Sequence, residues 1–260
     1  MKKNKVMALV LVAAMVAGVM AGCGAKKEDK TFTVGFDAEY PPYGYMDDNG
    51  EYTGFDLELA EAVCEMEGWE LVKKPIDWNS KDMELESGAI DCIWNGFTVD
   101  GREDDYTWSQ AYVDNSQVIV VAEDSGIASL ADLAGKTVGV QAASAALSLL
   151  EEDQAELAAT FGGLQEFADY NSAFVELQAG SVDAVAMDVG VANYQLKTRG
   201  EGYTILSEVL NSEQYAVGFK KGNTELCEIV DADLTKLAED GTVAKLAEKY
   251  DISDLICIGK

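Results

Sequence analysis

The chain has 260 residues, of which 47 are Asp or Glu, 19 are Lys or Arg and none is His, giving a formal net charge of −28. This charge excludes nucleic acid as a partner and disfavours anionic lipid surfaces, since both are polyanions. With 48% apolar residues the chain can bury a core, and the absence of histidine removes the commonest general base and the commonest zinc ligand.

The N-terminal segment has the features of an export signal. Three lysines within the first five residues precede an uncharged apolar run over residues 6–20, which is too short for an ordinary membrane-spanning helix. Small residues lead directly to Cys23 and resemble a lipobox, which predicts a signal peptide over residues 1–22 and a lipidated Cys23. Residues 23–30 would then be a solvated tether. The alternative is a plain secretory signal with an incidental cysteine.

Four further cysteines follow at wide spacing: Cys64, Cys92, Cys227 and Cys257. An exported chain with an even number of cysteines can form disulfides, but these four lack the close spacing of a disulfide-rich scaffold. We expect them to be mostly buried apolar residues. The alternative is one disulfide, between Cys227 and Cys257.

Strand and helix patterns alternate along the chain, and part of the pattern occurs twice. The first two elements are a β-rich run at residues 32–36 and a helical run at residues 55–66. Residues 33–37 are echoed by 137–141, and residues 88–95 are echoed by 180–188. The alternative is chance similarity between short segments. We predict an α/β fold with two similar lobes, whose ligand site lies at the C-terminal ends of the strands.

The last part of the chain returns to the first lobe. Residues 214–220 have the pattern of a strand, and helical patterns follow at 224–239 and 241–250. The chain would then cross between lobes near residues 114–118 and 211–215, and two crossing strands make a hinge. The predicted division is lobe 1, residues 31–114 plus 215–260, and lobe 2, residues 115–214.

One segment is highly specific for a known family. Residues 54–64, Gly-Phe-Asp-Leu-Glu-Leu-Ala-Glu-Ala-Val-Cys, resemble the signature of the amino-acid-type solute-binding proteins of ABC importers, which have the periplasmic-binding-protein type II fold. The resemblance covers nearly all of residues 31–250. Other matching segments are residues 37–43, 95–98, 133–141 and 215–222. We expect Asp56, within the signature, to cap the following helix and to have no ligand role.

The resemblance implies an arginine that binds the α-carboxylate of an amino acid. Besides Arg199, which has the features of a surface residue, the chain has only Arg102, which follows a strand end. A guanidinium group there could hold the carboxylate with two hydrogen bonds. The segment 98–102 is one residue shorter than is usual in the family. The alternative is a surface arginine paired with Glu103 or Asp105.

The other partners of the carboxylate would come from both lobes. Gly96 and Thr98 on the first lobe and Ser144 and Ala145 on the second offer backbone N–H groups and hydroxyls. Ser144 precedes a helical run at residues 145–152, where free N–H groups suit an anion. The alternative is an ordinary helix cap without a ligand.

Two acids are candidates for the ligand ammonium group. Asp188 ends the second-lobe strand and matches the amine-binding aspartate of the family, and Asp37 ends the first strand. A buried carboxylate at a strand end is costly unless it meets a cation. The alternatives are a helix cap for Asp188 and a turn residue for Asp37.

Aromatic residues are candidates for the side-chain subsite. Tyr40 and Trp78 match positions that flank the ligand side chain in the resembled family. Flat apolar walls accept many shapes, so they do not identify the ligand. Glu39 and Gln141 are further candidates for the lining of the pocket.

The leading interpretation is an extracellular, lipid-anchored receptor that is not an enzyme and needs no cofactor or metal. It would bind a polar or charged L-amino acid as a monomer and deliver it to an ABC transporter permease and ATPase. The alternatives are a dehydratase on the same fold and a ligand-sensing module. A metal-binding protein is disfavoured, because no clustered acidic loop of the calcium type is present.

Overall fold

The computed structural model describes residues 30–259. The predicted signal peptide, the lipidation of Cys23 and most of the predicted tether therefore lie outside the described residues. The strands are, in chain order, β1 (Thr31–Phe36), β2 (Glu39–Tyr40), β3 (Gly44–Met46), β4 (Tyr52–Thr53), β5 (Glu70–Pro75), β6 (Cys92–Ile93), β7 (Tyr106–Trp108), β8 (Val113–Ala122), β9 (Thr137–Gln141), β10 (Gly163–Phe167), β11 (Ala184–Asp188), β12 (Tyr203–Ile205), β13 (Asn211–Tyr215) and β14 (Gly218–Lys220).

The helices match the sequence patterns closely. They are α1 (Phe55–Glu67), α2 (Lys81–Glu86), α3 (Ala145–Glu151), α4 (Ala155–Ala158), α5 (Tyr170–Ala179), α6 (Val189–Arg199), α7 (Thr224–Glu239) and α8 (Thr242–Lys249), with 3₁₀ turns at Trp78–Ser80, Leu130–Leu133 and Ser253–Leu255. Glycines in the left-handed conformation end two of them, Gly68 after α1 and Gly180 after α5. No helix among residues 30–259 is long and apolar enough to cross a bilayer.

The strands form one large sheet in each lobe. The strand orders are β5-β1-β6-β14-β7 and β10-β9-β11-β8-β12, with β13 paired to β8, and a small third sheet contains β2, β3 and β4. Strand β1 in the first sheet and strand β9 in the second each run parallel to both of their neighbours. Helices α1 and α2 pack against the first sheet, and α3 and α5 pack against the second. The predicted fold class, two similar α/β lobes, is confirmed.

The duplicated sequence pattern corresponds to a duplicated hydrogen-bond pattern. In the first lobe the Thr33 N–H donates to Asp91 Oδ2 at 2.7 Å, and the Asp91 N–H donates to the Thr33 carbonyl at 2.8 Å. In the second lobe Thr137 and Asp183 make the same two bonds, both at 2.8 Å. Asp91, directly before β6, therefore links β6 to β1. Asp183, directly before β11, links β11 to β9 in the same way.

The chain passes between the two sheets along β8 and β13. These strands pair antiparallel, with Asn115 opposite Glu213 and Val113 opposite Tyr215. The prediction of one strand over residues 214–220 was wrong in detail. The strand ends at Tyr215 and a new one starts at Gly218, because β13 pairs with β8 whereas β14 pairs with β6 and β7.

Two further details differ from the sequence interpretation or decide between its alternatives. Asp56 does not cap α1, which begins at Phe55 after Gly54; the Asp56 side chain is fully buried, and its Oδ2 accepts a 2.6 Å hydrogen bond from the Gly96 N–H. Cys227 is a thiol whose Sγ lies 3.1 Å from the Trp108 carbonyl oxygen, so the alternative disulfide is not formed.

Candidate functional site

The cleft between the lobes contains a small cavity of about 10 Å³. It is lined by Tyr40, Trp78, Gly96, Phe97, Thr98, Arg102, Gln141, Ser144, Ala145 and Asp188. Eight of the nine residues predicted as ligand-binding are in this set, which the structure draws from both lobes. A cavity of this size holds about one water molecule, so the lobes are closed on each other.

Arg102 reaches the cavity despite the shortened segment before it. The Arg102 N–H donates to the Val99 carbonyl at 2.8 Å, and Gly101 has a φ of 78°, which closes a tight turn that only glycine adopts easily. The Trp108 indole N–H donates to the Arg102 carbonyl at 3.1 Å and holds the turn. The guanidinium group lies 5.3 Å from the centre of the Phe97 ring.

The alternative of a surface Arg102 does not describe this geometry. Among residues 30–259, no salt bridge joins Arg102 to Glu103 or Asp105. Its one side-chain hydrogen bond described there is from Nη1 to the Thr98 carbonyl, at 3.3 Å. Most of the donors of the guanidinium group therefore make no hydrogen bond within the described residues.

Asp188 is the centre of a buried hydrogen-bond network. The side chain is 3% exposed, and its Oδ1 accepts from Asn115 Nδ2 at 2.8 Å, Gln117 Nε2 at 2.7 Å and the Tyr215 hydroxyl at 2.6 Å. Asp188 directly precedes α6 but makes no side-chain capping bond. Asp188 therefore holds the N-cap position of α6, as the alternative expected, but its carboxylate is held by neutral donors beside the cavity and does not cap the helix.

Sequence reasoning missed the residues that hold Asp188. Asn115 and Gln117 lie two residues apart on one face of β8, and Glu213 and Tyr215 lie on one face of β13. Both faces are buried, so an alternating polar pattern inside a buried strand was the available signal. It did not show that the two faces meet.

Glu213 is a second buried acid in this network. It is 5% exposed, and its Oε1 accepts from Thr98 Oγ1, Asn115 Nδ2 and Gln117 Nε2, each at 2.8 Å. Burial, together with the nearby charge of Asp188, raises the pKa of Glu213 to about 7. The Thr98 hydroxyl donates its hydrogen bond to Glu213, so its proton does not face the cavity.

Gly96 lines the cavity without its expected role as a donor. Its N–H donates to Asp56, so this N–H is not available to a ligand carboxylate. Gly96 has a φ of 55°, and a Cβ atom there would lie 2.9 Å from the rings of Tyr40 and Tyr215. Glycine is required because two aromatic rings approach the backbone closely.

Asp37 lies beside the cavity and binds the other lobe. Its Oδ2 accepts from Gln141 Nε2 at 2.7 Å, and its Oδ1 accepts from the Glu39 N–H at 2.9 Å. Burial raises the pKa of Asp37 to about 6. Gln141 holds the same place in the second lobe that Asp37 holds in the first, so equivalent strand ends meet across the cleft.

Ser144 and Ala145 form the second-lobe edge of the cavity. Ser144 caps α3, because its Oγ accepts from the Leu147 N–H at 3.1 Å. Capping occupies a lone pair and leaves the hydroxyl proton of Ser144 available. The cap and the cavity lining therefore coexist at this residue.

Aromatic side chains form the walls of the cavity. The Tyr40 hydroxyl lies 3.3 Å from that of Tyr215, and the Tyr40 ring packs 5.9 Å from Tyr170 of the other lobe. Trp78 begins a 3₁₀ turn and packs edge-on against Phe97 at 5.6 Å. A buried lysine that sequence reasoning missed, Lys81, lies 5.3 Å from the Trp78 ring.

Comparison with known proteins agrees with this architecture. The family described as bacterial extracellular solute-binding proteins, family 3, matches residues 32–252. The chain belongs to this family. The resemblance found in the sequence is therefore confirmed.

Individual relatives cover nearly the whole chain. The arginine-binding extracellular protein ArtP of Bacillus subtilis (strain 168) is 31% identical over 251 residues, which are 93% of this chain and 96% of the relative. The structure of a substrate-binding protein of an ABC uptake transporter from Streptococcus pneumoniae, with bound histidine, has a TM-score of 0.84 and 33% identity and covers 87% of this chain and 94% of that one.

A third relative connects the fold to an enzyme. The ancestral amino acid-binding protein AncCDT-1, a precursor of cyclohexadienyl dehydratase, is 30% identical to this family member, with a TM-score of 0.78 over 85% of this chain and 95% of that one.

Three buried acids, Asp37, Asp56 and Glu213, should make the stability of the fold depend on pH. Burial raises the pKa of Asp56 to about 7, as it does for Glu213, and that of Asp37 to about 6. A carboxyl group whose pKa is higher in the folded protein stabilises the fold below its unfolded pKa of about 4, and this contribution is lost as the pH rises through the folded pKa. We expect the free energy of unfolding in urea to fall by at least about 2 kcal/mol between pH 5 and pH 8.

Two variants test the origin of this slope. Asp56→Asn should reduce the slope without abolishing it, because an amide does not titrate while Asp37 and Glu213 still do, whereas Glu65→Gln on the exposed face of α1 should leave it unchanged. Stability that rises from pH 5 to pH 8 would contradict the raised pKa values.

Proposed function

We propose that this protein is the substrate-binding lipoprotein of an ABC importer and that it binds a polar or charged L-amino acid between its lobes. The observation that carries the proposal is the pairing of Arg102 from one lobe with Asp188 from the other around one cavity. A cation and an anion at a fixed separation complement the carboxylate and the ammonium group of a zwitterion. The relatives that bind arginine and histidine support this ligand class.

Each part of the ligand has partners in the cleft. The α-carboxylate would bind Arg102, the hydroxyl of Ser144 and the backbone N–H of Ala145. The ammonium group would bind Asp188, and the side chain would lie between Tyr40 and Trp78. Aromatic walls and a few placed polar groups are the usual composition of a small-molecule site.

Both the entry and the accommodation of a ligand require the lobes to lie farther apart than they do here, because the cavity of about 10 Å³ is smaller than an amino acid. We propose that the lobes, residues 31–114 plus 215–260 and residues 115–214, separate about β8 and β13. Contacts that would break include Gln141 with Asp37 at 2.7 Å, Asn171 with Glu39 at 2.6 Å and Lys197 with Asp251 at 2.9 Å. A ligand that touches both lobes binds the closed state better and shifts the population towards it.

The remaining parts of the proposal concern location and partners. We propose that a lipid on Cys23 holds a monomeric receptor at the extracellular face of the membrane, beside the permease and ATPase of its transporter. A dehydratase is the second candidate, and the likeness to AncCDT-1 supports it. A ligand-sensing module is the third candidate. The charge pair in the cleft and the absence of histidine favour the receptor.

Removal of the guanidinium group tests the ligand site. Truncation of one partner of a desolvated, bidentate charge pair costs roughly 2–5 kcal/mol, so Arg102→Ala should weaken binding by about thirtyfold or more. Arg102→Lys keeps the positive charge but loses the two parallel hydrogen bonds of the guanidinium group, so its affinity for the ligand should be intermediate. Lys221→Ala makes the same charge change on the surface and should bind as the wild type does.

Calorimetric titration should use the ligand that gives the largest thermal shift among the twenty amino acids, ornithine and cystine. Equal affinity of Arg102→Ala and the wild type for this ligand would show that Arg102 does not bind it.

A glycine at the lobe interface tests closure separately. A Cβ atom at Gly190 of α6 would overlap the Tyr43 hydroxyl of the other lobe, so Gly190→Ala should disfavour the closed state. We expect about tenfold weaker binding and less contraction in small-angle scattering on ligand addition. In Gly163→Ala the added atom has its nearest neighbours at 3.9 Å, so this control should close normally. Normal closure of Gly190→Ala would contradict this interface.

The lipid anchor has its own test. Cys23→Ser should release a folded receptor into the medium, because the lipid is the proposed attachment to the membrane. Fractionation and immunoblotting measure the released share. A variant that stays with washed membranes would contradict the lipoprotein assignment without affecting the ligand site.

A further inference from the structure

Glu213 lies between the two halves of the proposed ligand clamp. Its Oε1 is bonded directly to Thr98 Oγ1 on one side. On the other side, the same two amide groups, those of Asn115 and Gln117, donate both to Glu213 Oε1 and to Asp188 Oδ1. The amide oxygens of Asn115 and Gln117 are buried and have no partner within the described chain. The network is therefore rich in acceptors and poor in donors.

The hydroxyl of Thr98 has one proton, which can be donated in one direction only. An ionised Glu213 can only accept a hydrogen bond, so the Thr98 hydroxyl donates to it. The lone pairs of the Thr98 oxygen then face the cavity. A ligand carboxylate would meet an oxygen without a donor. When Glu213 is protonated it can donate to Thr98, whose own proton is then free to turn to the carboxylate.

The charge balance of the closed site points the same way. Asp188 and Glu213 are two buried carboxyl groups, and no basic side chain among residues 30–259 forms a salt bridge with either. Arg102 lines both the ligand cavity and an adjacent cavity of about 270 Å³ that Glu213 also lines. One proton on Glu213 leaves the formal charges of Asp188 and Arg102, those of the buried Asp37 and Lys81, and a zwitterion, which together sum to zero. Two like charges that share a buried site do not ionise together without cost.

Titratable and charged groups face Glu213 from every element packed against it. They are Asp188 on β11, Tyr215 on β13, Tyr43 before β3, Tyr170 on α5, Arg102, Asp100 and Asp105 in the loop after β6, and Glu152 and Asp153 after α3. Most of these groups are acidic. Burial, together with the charge of Asp188, raises the pKa of Glu213 to about 7.

We propose that Glu213 is a positioning residue whose protonation turns the Thr98 hydroxyl towards the ligand carboxylate, so that the protein takes up a proton when it binds its amino acid. This inference rests on the proposed function. Affinity should therefore decrease as the pH rises through neutrality. If the ligand ammonium group controlled Glu213 instead, binding would release a proton and affinity would increase with pH.

Calorimetry can count the protons. L-arginine and L-glutamine are titrated into the full mature chain at pH 6 and pH 8, each in two buffers that differ in ionisation enthalpy. We expect uptake of a fraction of a proton per ligand and an affinity about tenfold lower at pH 8 than at pH 6. Binding with proton release, or with no exchange, overturns this inference and leaves the proposed function standing. Failure of both amino acids to bind at either pH overturns this inference, and the proposed function is rejected as well if none of the twenty amino acids, ornithine and cystine gives a thermal shift.

Variants separate positioning from a structural role. Glu213→Gln can donate to Thr98 at any pH, so it should lose proton uptake and bind more tightly than the wild type at pH 8. Thr98→Val removes the hydroxyl, and should lose proton uptake while Glu213 remains. Uptake that persists in either variant overturns the inference. Glu65→Gln is the matched control and should take up the same number of protons as the wild type.

A folding defect in one variant does not remove the test. Thermal melts followed by circular dichroism check each protein, and if Glu213→Gln does not fold, the wild type and Thr98→Val decide the outcome. Because each ligand is the same in all proteins, its own ionisation contributes equally to every measurement.

Discussion

The closed cleft depends on Asp188, a buried carboxyl group that is held by neutral donors and forms no salt bridge among residues 30–259. Its Oδ1 receives hydrogen bonds from two amides and one tyrosine hydroxyl, all three of which come from β8 and β13. Neutral donors lower the cost of burying a carboxylate, but they do not neutralise it. In the proposed function, the ammonium group of the ligand would supply the cation that Asp188 lacks. The strands that form the hinge thus also supply the electrostatic environment of the site.

The symmetry between the lobes explains which residues meet across the cleft. Asp37 directly follows β1 and Gln141 is the last residue of β9, and these strands hold the same place in their respective sheets. The carboxyl ends of parallel strands face the cleft in both lobes, so an acid from one repeat meets an amide from the other. The hydrogen bond between them is made only when the lobes approach. In the proposed motion, the hydrogen bond between these two equivalent positions would therefore form when the lobes close.

The tyrosines give the interior of the cleft its polarity. Tyr40 and Tyr43 come from the first lobe, Tyr170 comes from the second, and Tyr215 ends the returning hinge strand. Their rings pack within 6 Å of one another in pairs, while their hydroxyls point among buried acids. Rings of this kind supply apolar area at low entropic cost and keep a polar end for hydrogen bonding. The cleft is therefore both well packed and polar.

The sequence by itself determined the elements whose cause is local. The helix at 224–239 was predicted from periodicity and the two lobes from repetition. Arg102 and Asp188 were predicted as site residues because they lie at or after the ends of predicted strands. What only the tertiary structure decided was the partner of each polar side chain. Glu213 lies opposite Asn115, and Gln117 lies opposite Asp188, because of the register of antiparallel strands that are far apart in the chain. Periodicity shows which face of a strand is buried, but the strand that covers this face is chosen by packing of the whole domain.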